Sequence, residues 1–151
     1  MTAPAPSTPR HYALVCDAFP PMRTSGAVQL RDLAREFVAQ GHRITVLTAS
    51  PDLVEEVRIE EERGVRIVRL RTPPTKDINY VRRTINEWRM PFVMRRRLAR
   101  SVLAAERYDG VIWYSPTIFL GPLAHSLKRA SQARAYLIVR DIFPEWAVDM
   151  G

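Results

Sequence analysis

The sequence predicts an α/β domain: a doubly wound, mostly parallel sheet with helices on both faces. Three observations carry that expectation. Short continuous apolar runs at 12–16, 110–114 and 135–139 suit strands covered on both sides. Amphipathic helical patterns alternate with strand runs, which implies parallel pairing through crossovers. Glycine or proline marks most junctions between them.

The chain has 151 residues, the length of one domain, and can bury roughly two thirds of its unfolded surface. Residues 1–9, MTAPAPSTP, are set apart as a disordered tail, leaving a domain over 10–151. The apolar run that follows is broken by Asp17, which argues against a secretory leader, and no window approaches the roughly 18 uncharged apolar residues of a membrane span. A single cysteine, Cys16, excludes an internal disulfide and a cysteine-based zinc cluster and fits a reducing cytoplasm. Its place in an apolar strand marks it as buried filler. The formal charge is +7 and the pI about 10.3, which points to an anionic partner.

In chain order, residues 12–16 form the first strand, and the loop FPPMRTSG at 19–26 leads into a helix. There Leu30, Leu33, Ala34 and Phe37 recur at helical spacing, with Arg31, Asp32, Arg35 and Glu36 elsewhere. Gly41 caps that helix, residues 43–48 make a second strand, and the three elements form a right-handed βαβ unit. Residues 50–64 read as a charged loop. Residues 65–70 alternate apolar residues with arginine, as a third strand at the sheet edge would. From 78 to 107 a basic region reads as two helical segments meeting at Pro91. Residues 110–114 are the fourth strand, Ser115-Pro116 stops it, and a helix starts near Ile118 with Pro122 in its first turn. Residues 135–139 are the fifth strand, and Pro144-Glu145 opens another helix. The simplest strand order is 3-2-1-4-5. Its topological switch lies between strands one and four, so a ligand site would be built from 19–26, 115–117 and 141–145.

The first loop has one glycine, so a GxGxxG dinucleotide fingerprint is absent. Ser25-Gly26 before a helix still offers free amides and a positive dipole end to a phosphate; the plainer role is a cap and a turn. Residues 82–107 hold eight arginines against Glu87 and Glu106, a net +6. On a helical wheel Met94, Leu98, Val102 and Ala105 share one face; Arg96, Arg100 and Arg107 lie on the other beside Phe92, Val93 and Leu103. That face suits anionic lipid headgroups, with Trp88, Met90 and Phe92 as interfacial anchors. No aromatic platform or recognition helix supports nucleic acid, and a solvated helix without a ligand stays open. Asp141, at the end of the last strand, either faces the cleft or caps the next turn. His11, His42 and His125 lack metal-ligand spacing, and there is no P-loop or nucleophilic triad motif. Taken alone, the residues leave open a non-catalytic module that binds a nucleotide or an anionic partner.

Several stretches together resemble the opening domain of the GT-B glycosyltransferases of family 4. They are Phe19-Pro20-Pro21 with Ser25-Gly26, LAREF at 33–37, GHRITVLT at 41–48, SPTIFLG at 115–121 and RDIFPEWAV at 140–148. The last two are most similar to the bacterial subgroup that builds O-antigen, colanic acid and related surface polysaccharides. The resemblance implies a Rossmann-like, acceptor-side N-terminal domain. Its nucleotide-sugar-binding C-terminal partner is not in this chain, so these residues alone are expected to be inactive. It implies retaining transfer of a sugar from a nucleotide diphosphate donor, without metal or resident cofactor, to a lipid-linked acceptor at the inner face of the cytoplasmic membrane. Ser25 and Gly26 match the loop that approaches the donor diphosphate. Asp141 matches a strand-end position near the reacting sugar, where it would orient the acceptor or stabilise positive charge at the anomeric carbon. Ser115, Thr117, Arg140 and Glu145 fall on the acceptor side of the cleft, where Arg140, Pro144 and Glu145 are expected to shape the loop.

Overall fold

The structure, a computed structural model, describes residues 8–115 and 118–140, with the backbone alone for Ser115 and Ile118. Its elements in order are β1 (His11–Cys16), α1 (Ser25–Ala39), β2 (Arg43–Ala49), β3 (Val57–Glu62), β4 (Val65–Leu70) and α2 (Tyr80–Ala99). They are followed by β5 (Gly110–Ser115), a 3-10 turn at Ile118–Leu120, α3 (Gly121–Ser131) and β6 (Arg134–Val139). The sheet order is β3-β4-β2-β1-β5-β6, parallel throughout except for the antiparallel β3–β4 pair. With β3 set aside, this is the expected 3-2-1-4-5 order, and β1 lies between β2 and β5 at the switch.

Successive side chains of a strand point to opposite faces, so a strand buried on both sides must be apolar throughout. In β1, Ala13 and Val15 pack with Met90, Met94 and Leu98 of α2 and with Leu123 and Leu127 of α3. Leu14 and Cys16 pack on the opposite side with Leu30 and Ala34 of α1. Helices therefore cover both faces. Cys16 is fully buried, and that burial pushes its thiol up to about 12, which leaves it unreactive packing.

Three expectations need correction. Residues 50–64 are not all loop: Val57–Glu62 pairs antiparallel with Val65–Leu70, Glu62 opposite Val65, through the two-residue turn Arg63-Gly64. Both turn residues have positive φ, 51° and 79°, as the tight hairpin whose twist matches the strands requires. The 65–70 strand is consequently interior, with Val65, Ile67, Val68 and Leu70 buried. Its arginines suggested an edge, but Arg69 is held inside by partners described below. Lastly, 78–107 holds one helix, not two: α2 runs through Pro91 and ends at its cap Arg100. Pro91 sacrifices one intrahelical bond but is buried against the core. Val102 and Ala105 are thus exposed in the turns after the helix rather than on its buried face, and Arg107, beyond those turns, donates to the Glu106 carbonyl.

Candidate functional site at the carboxyl edge of the sheet

The carboxyl ends of β1 and β5 and the amino end of α1 meet at the switch. Thr24, not Ser25, caps α1: its Oγ1 accepts from the Ala27 amide at 3.2 Å. Ser25 and Gly26 are the first helical residues, so their amides have no intrahelical acceptor by position. The Ser25 hydroxyl, freed from capping, accepts from Arg140 Nη2 at 2.8 Å. Arg140 follows directly on β6 and also donates from Nη1 to Tyr114 Oη at 3.1 Å. Gly26 permits this close approach: an added Cβ would lie 2.9 Å from Tyr114 Oη and 3.3 Å from Arg140 Nη1, so one of those side-chain ends would have to shift. A guanidinium therefore stands against the positive end of a helix. Two like partial charges so placed favour an anion between them.

The loop before α1 is fastened from both sides. Phe19 is buried in the α1-side core, and the Pro20–Pro21 bond is cis. Arg69 Nη2 donates to the Pro20 carbonyl at 2.6 Å, while Arg69 Nε donates to Glu60 Oε2 of β3 at 3.0 Å. The hairpin that the sequence hid is thus part of what positions the loop.

Asp17, immediately after β1, is the other polar group at this edge. Its Oδ1 is buried and has no hydrogen-bond partner among the described residues. Burial raises the pKa of the carboxyl. The backbone amides of Asp17 and Ala18 and the charge of Lys76 offset this in part, and Glu87 adds to it.

The structure brings Ser25, Gly26 and Arg140 together, and Arg140 holds the amino end of α1. Ser115 is the last residue of β5, paired with Val139 in register. Thr117, Asp141 and Glu145, and with them the helix expected at Pro144, lie outside the described residues. Tyr114, Arg69, Glu60 and Asp17 were missed as site residues. Tyr114 reads as the end of an apolar strand, and only the tertiary fold turns its hydroxyl toward Arg140.

Residues 25–148 match the model of the glycosyl transferase 4-like domain. The chain belongs to that family. This glycosyl transferase 4-like domain has the Rossmann-like α/β fold found in GT-B glycosyltransferases. It aligns with the catalytic domain of starch synthase IV from Arabidopsis thaliana, bound to ADP and acarbose, with a TM-score of 0.57 and 10% identity, over 89% of this chain and 34% of that one. The chain thus spans about a third of that catalytic domain's length. A second likeness is to the C-terminal domain of the PF1911 hydrogenase from Pyrococcus furiosus, with a TM-score of 0.53 and 19% identity, over 89% of this chain and 95% of that one. At such identities both show the fold alone, and the fold hosts unrelated chemistries. Among curated proteins, no sequence matches this domain. No helix among its described residues is long and apolar enough to cross a membrane.

Proposed function

We propose that this domain forms the acceptor-side wall of a retaining glycosyltransferase active site. In this reading the first turn of α1 and Arg140 hold the diphosphate of a nucleotide sugar. The observation that carries it is the guanidinium bonded to Ser25 at the amino end of α1. Charge develops on the departing diphosphate as the glycosidic bond to the donor breaks. A fixed guanidinium and oriented amides stabilise that charge without reorganising, and a divalent metal is not required. Asp141 orients the acceptor or stabilises positive charge at the anomeric carbon, and Ser115, Thr117 and Glu145 serve the acceptor side.

A second, nucleotide-binding domain completes the site, so these 151 residues alone give no turnover. The acceptor is lipid-linked and the enzyme works at the inner face of the cytoplasmic membrane, in the synthesis of a bacterial surface polysaccharide. A transfer assay of the complete protein against a panel of nucleotide sugars tests this. Arg140→Met is expected to lower kcat/KM by about 100-fold, and Asp141→Ala to reduce turnover. Wild-type rates in both variants, or no transfer from any donor, would favour a non-catalytic binding module.

A further inference from the structure

Helix α2 has two apolar stripes, and the core uses only one. Met90, Met94 and Leu98 face the sheet. On the opposite side Val81, Ile85, Trp88 and Phe92 follow one another at i, i+4, i+7 and i+11, which places them in one line. They are 65%, 50%, 60% and 42% exposed, and the Trp88 and Phe92 rings touch with centroids 5.4 Å apart. Single exposed apolar residues need no explanation, but four large ones in a line about 16 Å long do.

The rim of this stripe has one sign. Arg82, Arg89, Arg96 and Arg100 lie along one flank and Arg95 along the other, all exposed. The helix carries six arginines and one acid, Glu87, which is bonded to Arg83 at 2.8 Å. The stripe also begins at the ligand edge of the sheet. Asn86 donates to the Pro74 carbonyl in the loop beyond β4, and Glu87 lies within electrostatic reach of Asp17 at the end of β1.

We infer that α2 docks this domain flat on an anionic phospholipid surface, with Val81, Ile85, Trp88 and Phe92 entering the headgroup boundary and the flanking arginines meeting lipid phosphates. Apolar insertion and electrostatic attraction add in such a helix. Residues 81 and 85 and the flank of Arg82 and Arg89 extend the surface beyond the segment expected from sequence, whereas Arg107 lies outside the helix. The amino half of α2 reaches the same carboxyl edge of the sheet as the α1–Arg140 site, on the opposite face. The inference rests on the membrane part of the reading above and not on sugar transfer, so vesicle binding and turnover can fail separately.

Flotation of the 151-residue chain with phosphatidylcholine vesicles, with and without phosphatidylglycerol, tests it. The chain should float with the anionic vesicles at about 100 mM salt and remain unbound with neutral ones. Trp88→Ser with Phe92→Ser, both on the surface, should weaken partition at least about tenfold while leaving the circular dichroism unchanged. Arg82→Gln, Arg89→Gln and Arg96→Gln together should lose roughly fivefold per arginine. Equal binding to neutral vesicles, or wild-type binding by both variants, would overturn the inference. So would a dimer that the Trp88→Ser, Phe92→Ser protein no longer forms without any vesicle binding, since the stripe would then face a second copy.

Discussion

The two ends of the sheet differ in how their polar groups are treated. At the amino edge every group named here is paired. His11 Nε2 and Thr45 Oγ1 are 2.9 Å apart, and the His11 amide donates to Asp109 at 2.7 Å. Glu106 accepts from Arg66 at 2.6 Å and from Tyr108 Oη at 3.3 Å, with Arg43 at 3.8 Å. At the carboxyl edge a buried carboxylate oxygen of Asp17 has no partner among the described residues, and a guanidinium sits at the positive end of a helix. Satisfied networks stabilise, whereas a buried polar atom without a partner lowers stability. The amino edge holds the strands in register, and the carboxyl edge is the one to which the proposed function assigns binding.

The largest expected effect is at the amino edge. Glu106→Ala leaves Arg66, which is only a third exposed, without its carboxylate. It should destabilise the protein by about 2 kcal/mol in urea unfolding. A change near zero would mean that this network does not anchor the strands.

Asp17→Asn should act in the opposite direction and stabilise by about 1 kcal/mol at pH 7, because an ionised oxygen no longer has to be buried. Burial raises the Asp17 pKa in the fold, so its cost is fully present above that raised value. The cost disappears as pH falls below the unfolded value of about 3.9, and the gain from asparagine should shrink accordingly. A gain independent of pH would contradict the burial argument.

Gly26→Ala separates the two roles at one residue. Alanine favours helix, so stability should stay within about 0.5 kcal/mol of the parent. The new Cβ must nonetheless displace Tyr114 Oη or Arg140, and nucleotide-sugar turnover should drop. Adding Tyr114→Phe removes the nearest atom and should restore part of that turnover. No rescue would mean that the clash is not the cause.

The smallest effect concerns His11, whose pKa is lowered, first by burial and then by the neighbouring Arg43 charge. A base depressed in the fold contributes stability that is fully present above its unfolded pKa, about 6.5, and is lost as pH falls from there through the lowered pKa of the fold. The stability gap between the parent and His11→Phe should therefore narrow from pH 7 to pH 5. A constant gap would show that the imidazole does not titrate against the fold.

Strand order was legible because continuous apolar runs and amphipathic stripes record burial on two faces and on one. The β3–β4 hairpin was not, since its outer strand VRIEEE carries too little apolar surface to signal a period, and only the Arg63-Gly64 turn marks it. Pro91 misled because a helix-breaking residue can be retained where its ring is buried. Of the site, Ser25 and Gly26 could be read from their place before a helix. The Arg140–Tyr114–Ser25 contact could not, because it joins three segments as much as 115 residues apart. Asp141, Thr117 and Glu145 remain proposals drawn from family likeness.

The contrast between the edges is tested most directly by making the same substitution at each, Arg140→Met and Arg66→Met, in the complete protein. Tm and nucleotide-sugar transfer are measured side by side. Arg140→Met should cut kcat/KM by about 100-fold with Tm within about 2 °C of the parent, whereas Arg66→Met should lower Tm by several degrees and leave kcat/KM within about threefold. Transfer at the parental rate by Arg140→Met, or an equal loss of Tm in both proteins, would contradict the account.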